Sequence, residues 1–152
     1  MIAARYLPFI GRLMIGLPFA ISGLSKLAAC GGTTGMISAV GLPFPPLAFA
    51  AAVAVELGGG VLLIAGYRAR AVAVAMAAFS LVTAALFHNN FADQNQMFHF
   101  LKNVIMAGGL LQIAAFGAGA LSFDNQRESH KRCPTRVVAA QGDKPCPTAI
   151  RP

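Results

Sequence analysis

Charge is scarce in this sequence. Only 11% of its 152 residues are charged, under half of the roughly 25% typical of soluble domains, which argues against a water-soluble globule. Cysteine is sparse as well. Cys30, Cys133 and Cys146 form neither a CxxC redox pair nor two pairs at zinc spacing, and Cys133 and Cys146 are expected to be reduced cytosolic thiols. Nucleophile machinery is missing: there is no GxSxG, and Cys30 has no evident base beside it. The Gly58 to Gly60 run lies inside an apolar block rather than in a phosphate-binding loop. His88 and His99 are separated by a loop and accompanied by no HxxxH or ExxH pair, so no metal site is expected. Ligand sets for haem or an iron–sulfur cluster and a nucleotide fingerprint are also missing.

What is present is hydrophobicity, 57% of the residues, gathered into four blocks at about residues 8–27, 44–66, 69–87 and 97–116. Each is close to the roughly 20 residues that cross the hydrocarbon core. The pattern predicts an all-α fold: a four-transmembrane-helix antiparallel bundle over residues 1–123. A disordered, basic, polar tail is expected over residues 124–152, where prolines and a cluster around Lys131 and Arg132 replace apolar periodicity. Pro8 is expected in the first turn of the first helix, where its missing N–H costs nothing, and the prolines after Gly41 are suited to start the second. Thr33 to Val40 suits either a short helix at the membrane surface or an irregular loop. Ala71, Ala75 and Ala78 suit packing inside the bundle or between copies.

The net charge of +7 is read as a topology signal rather than as a nucleic-acid surface. Arg5, Arg12, Arg68, Arg70, Arg127, Lys131 and Arg132 fall on one side of the four-helix path, and only Lys26 and Lys102 fall on the other. By the positive-inside rule both termini are cytoplasmic. Leu27-Ala28-Ala29-Cys30 resembles a lipobox, but Lys26 interrupts the apolar stretch before it, and cleavage would leave an odd number of helices.

Ionisable residues inside a span need an inward orientation, a partner or a role. Arg12, Phe19 and Lys26 share one stripe of the first helix, with Gly16, Ser22 and Gly23 beside it. Glu56 lies near the middle of the second helix and is expected to pair with Arg12. Its bland role is an interhelical anchor, and its sharper one is a proton acceptor. A second polar group surrounds the third connection: His88, Asn89, His99, Lys102 and Asn103, among Phe87, Phe91, Phe98 and Phe100. Apolar walls with a few polar groups suit a flat ligand bearing carbonyl or hydroxyl oxygens, such as a quinone, although an ordinary wet loop rich in amides would look the same.

Several segments, in order, resemble the DoxX family of small four-helix membrane proteins. They are Arg12-Leu13, Gly23-Leu24-Ser25-Lys26-Leu27, Gly41-Leu42-Pro43-Phe44-Pro45, Glu56-Leu57-Gly58-Gly59, Tyr67-Arg68-Ala69-Arg70, Phe87-His88, Phe100-Leu101-Lys102-Asn103 and Gly117 through Ser122. The resemblance covers about Arg5 to Asp124. It implies a bacterial cytoplasmic (inner) membrane location and an association with quinone-linked redox chemistry, with Lys26, Glu56, His88, Lys102 and Asn103 as the matched polar positions.

These readings combine into one expectation: a quinone-interacting membrane subunit of a redox system. In it His88 and Glu56 are the catalytic, proton-exchanging residues, and Lys26, Asn89, His99, Lys102 and Asn103 contact the ligand. Beyond the lipid bilayer, the expected partner is a soluble redox enzyme or an external thiol that supplies electrons. Two rivals are a non-catalytic scaffold that holds such an enzyme through the basic tail, and a small-molecule or proton transporter using the Arg12, Glu56 and Lys26 stripe.

Overall fold

The computed structural model describes residues 2–132, with side-chain environments from Arg5 to Ser129. Six helices account for nearly all of it: α1 (Ile2–Ala28), α2 (Cys30–Ala39), α3 (Pro45–Ala65), α4 (Ala69–Phe87), α5 (Gln94–Phe116) and α6 (Phe123–Arg132). Four of them, α1, α3, α4 and α5, are long and apolar enough to cross a membrane.

α1 packs chiefly on α3, and α4 chiefly on α5. The two pairs meet in a core of Phe19 from α1, Leu63 from α3, Ala73, Met76 and Ala77 from α4, and Ala107 and Leu110 from α5. The outer faces are equally apolar, with Met14, Leu24, Val61, Val74, Val82 and Ile105 all exposed. A helix bundle that is hydrophobic on both faces is at home in lipid rather than in water.

The α1 stripe turns inward as its spacing predicts: Arg12, Gly16, Phe19 and Gly23 are buried. The glycines set how closely α1 and α3 approach. A Cβ on Gly16 would lie 2.8 Å from the Gly60 carbonyl oxygen, and one on Gly23 would lie 2.7 Å from the Leu57 nitrogen. Small residues at these positions therefore let the two backbones touch.

Two details differ from the sequence expectation, and two readings that it left open are narrowed. α1 begins at Ile2, so Pro8 and Pro18 both lie inside it. Pro8 forfeits only the bond to the Ala4 carbonyl, within the first two turns of the helix. The segment after α1, for which helix and loop were equally suited, is helical as α2. Ala71, Ala75 and Ala78 are exposed, whereas Ala69, Ala73, Met76, Ala77, Ser80 and Ala84 supply the buried face of α4. The expected disorder from Asp124 onward does not hold as far as Arg132, because that stretch is α6; the remainder, 133–152, lies outside the described residues.

α6 forms without an apolar stripe because polar contacts fix its start. The Ser122 hydroxyl accepts from the Asn125 N–H at 3.2 Å, as an N-cap does. The Asp124 carboxylate accepts the N–H groups of Arg68 at 2.7 Å and Ala69 at 2.8 Å, which caps the first turn of α4 from outside. Arg127 stacks over Tyr67, 5.1 Å from the ring centre. These contacts tie α6 to the α3–α4 connection.

Candidate functional site

Arg12 does not pair with Glu56. Its guanidinium donates to the carbonyls of Leu63 (3.0 Å) and Ile64 (2.8 Å) and also to Leu121, and it lies over the Phe9 ring. The first two carbonyls belong to the last turn of α3, where the Leu63 carbonyl also accepts the Gly66 N–H at 3.1 Å and the Ile64 carbonyl is left to the guanidinium. A cation at that end also opposes the partial negative charge of the helix terminus. Arg12 is thus a C-cap delivered by a neighbouring helix, and at 1% exposure it is the largest fully buried side chain among the described residues. Gly66, which terminates α3 at φ +70°, makes room for it: a Cβ there would collide with the guanidinium and with Ser122.

The partner of Glu56 is Lys26. Lys26 Nζ lies 2.7 Å from Glu56 Oε2 and 2.9 Å from Oε1, and it donates to the Ser22 hydroxyl at 2.9 Å. The contact is a salt bridge. The register of the helices explains the exchange of partners. Gly16 faces Gly60 and Gly23 faces Leu57, so Glu56 sits at the level of Lys26, while Arg12 lies about 21 Å farther down α1 at 1.5 Å per residue. The polar stripe is therefore two separate groups.

Glu56 occupies a wider π turn, Ala54–Gly58, within α3. Such turns are rare and recur at functional sites. Its carboxylate is 9% exposed while the Lys26 side chain is 29% exposed, so the pair is reached from the lysine side.

The second polar group assembles where α4 ends and α5 begins. Asp93 caps α5 by accepting from the Asn95 N–H. The first turn of α5 then brings Gln96 Oε1 within 2.8 Å of His88 Nδ1. The rings of His88 and His99 stack, with centres 5.0 Å apart. Lys102 Nζ is 3.4 Å from His99 Nδ1, so a neutral His99 presents an acceptor to the ammonium. Phe91 and Phe100 meet edge to face beside this group at 5.1 Å. Lys102 is exposed, so the group opens outward rather than into an enclosed cavity.

Two expected ligand residues play smaller parts. Asn89 is exposed, and the Asn103 side chain donates to the His99 carbonyl one turn earlier in its own helix. Ser22 and Gln96 carry more of the geometry than the sequence reading gave them. The detectable signal for Gln96 was its i, i+3 spacing to His99.

The two groups lie at similar depth. A Cβ on Gly109 of α5 would meet Ile15 of α1 at 2.9 Å. Counted from that contact, Lys26 is about 16 Å along α1 and His99 about 15 Å along α5, both away from the Arg12 end. No hydrogen bond or ion pair joins the two groups among the described residues.

The DoxX family model matches residues 7–89, which takes in α1 through α4 with Lys26, Glu56 and His88. Among curated proteins, the inner membrane protein YqjF of Escherichia coli (strain K12) is 35% identical over 115 residues, 76% of this chain and 87% of that relative. The inner membrane protein YphA of the same strain is 35% identical over 130 residues, 82% of this chain and 93% of that relative. No solved structure matches.

Proposed function

The chain belongs to the DoxX family and is a multi-pass inner-membrane protein, and from that premise we propose that it is a quinone-interacting subunit of a redox system. In this reading the Arg12 end and both termini face the cytoplasm, in line with the excess of arginine there, and the two polar groups lie toward the opposite surface. The observation that carries the proposal is the assembly of His88, Gln96, His99 and Lys102 beside the Phe91–Phe100 pair, at the depth of a buried lysine–carboxylate pair.

These residues fit a quinone's chemistry. Aromatic edges suit a flat ring, and the opening toward lipid suits a ligand that diffuses within the bilayer. Lys102 and His99 are donors positioned to orient a carbonyl oxygen, and a bound quinone supplies the capacity to accept electrons. His88, held by Gln96, is placed to exchange a proton with the ligand. Glu56 is paired with Lys26, and the lysine is the more accessible member of the pair. The electrons come from a soluble redox enzyme or a thiol.

The test is to purify the protein in mild detergent and measure co-purifying quinone by mass spectrometry, in wild type and in Lys102→Ala. Quinone present in wild type and depleted in the variant supports the reading. A wild type that neither carries quinone nor binds it when added contradicts it.

A second reading, a scaffold for a partner enzyme, draws on α6, whose exposed side chains project from the Arg12 end while Asp124 and Arg127 hold the helix in place. Truncation after Arg132 keeps these anchors. A scaffold that works through the tail loses its partner on that truncation, whereas a quinone site keeps its ligand.

A further inference from the structure

The four-helix ring is not equally closed on all sides. α1 leans on α3 and α5 leans on α4, so the α1–α5 seam is the least filled. A groove of about 350 Å³ runs along it in the half nearer Arg12, between Pro8, Gly11 and Ile15 on α1 and Gly109, Ile113 and Phe116 on α5. Its walls are almost wholly apolar. At its end lies Gly117, with the Arg70 guanidinium next to it: a Cβ on Gly117 would be 3.4 Å from Nε and 3.5 Å from Nη2. Arg70 is exposed, and no hydrogen bond or ion pair holds its guanidinium among the described residues.

We infer that this seam binds an anionic glycerophospholipid, with one acyl chain along the groove and the phosphate on Arg70. The groove opens directly to the bilayer, and an unfilled apolar slot forfeits the dispersion contacts of its lining. A groove of about 350 Å³ with almost wholly apolar walls suits a single hydrocarbon chain lying along it. Charge complementarity supplies the headgroup: a guanidinium with no partner among the described residues stands where an apolar groove meets the polar surface, and it matches phosphate geometry. The site is separate from the polar groups at the other end, and the inference holds whether or not a quinone binds there.

Native mass spectrometry of the full chain, released from detergent after incubation with phosphatidylglycerol or phosphatidylcholine of identical acyl chains, tests it. Wild type should retain phosphatidylglycerol about fivefold better than phosphatidylcholine, the scale set by one basic residue near an anionic lipid. Gly11→Leu fills the groove, and its Cβ meets nothing within 4 Å; it should lose both lipids with helicity intact. Arg70→Gln changes only an exposed side chain and should abolish the preference while keeping the weaker binding, so it decides the matter even if Gly11→Leu folds poorly. Equal retention of the two lipids by wild type, or unchanged binding in folded Gly11→Leu, overturns the inference. So does a wild-type dimer that Gly11→Leu dissociates, which would make the seam a protein interface.

Discussion

Arg12 and Lys26 stand about four helical turns apart on one face of α1, yet they are held in different ways. Arg12 is bound to the carbonyls of Leu63, Ile64 and Leu121, none of which can take up a proton. Lys26 is bound to a carboxylate and a hydroxyl, and at the same depth two stacked histidines adjoin Lys102. A buried cation held by main-chain carbonyls fixes structure, whereas a cation facing a titratable anion can exchange a proton. The Arg12 end is further fastened by Asp124 and α6, while at the other end the α3 helix widens into a π turn around Glu56.

If this contrast is correct, the largest stability loss comes from the Arg12 end. Arg12→Met leaves the Ile64 and Leu121 carbonyls without their donor, Leu63 keeping the Gly66 N–H, and should destabilise the protein by about 3 kcal/mol, at roughly 1.5 kcal/mol for each orphaned acceptor. Thermal melting in detergent, followed by far-UV circular dichroism, reads this. Glu56→Gln should cost less, about 2 kcal/mol, because Lys26 is partly accessible and can turn outward. Adding Lys26→Met to it should give a non-additive result, with a coupling of about 1 kcal/mol. Asp124→Asn weakens the external cap on α4 and should cost about 1 kcal/mol, with no effect on ligand retention. Ser22→Ala, which removes one neutral acceptor from Lys26, should shift stability by about 0.5 kcal/mol. If Ser22→Ala instead proved as damaging as Arg12→Met, the two ends would not differ as described.

The four spans and the inward stripe of α1 were legible in the sequence because block length and a 3.6-residue period depend on local spacing alone. The pairing across that stripe was not. Periodicity reports which face a residue occupies but not the depth at which a neighbouring helix presents its partner, and Glu56 sits about 12 Å along α3 from the Ile64 carbonyl that Arg12 reaches. The Gly16–Gly60 and Gly23–Leu57 contacts set that register, and they emerge only when the helices are packed. The π turn has no sequence signature, and α6 is hidden because Ser122 and Asp124, rather than an apolar face, define it. For the second polar group, the residues around the third connection were identifiable as a set. The hydrogen bond that His88 donates to Gln96 Oε1, which orients the ring, depends on how Asp93 starts α5.

The most direct test places one variant from each end side by side. Added quinone is titrated into detergent-purified wild type, Lys102→Ala and Asp124→Asn, and the melting temperature is recorded for each. The account predicts that Lys102→Ala remains folded but loses quinone binding, while Asp124→Asn melts earlier and binds as wild type does. Quinone binding that simply follows stability in both variants, or that is unchanged in Lys102→Ala, would contradict it.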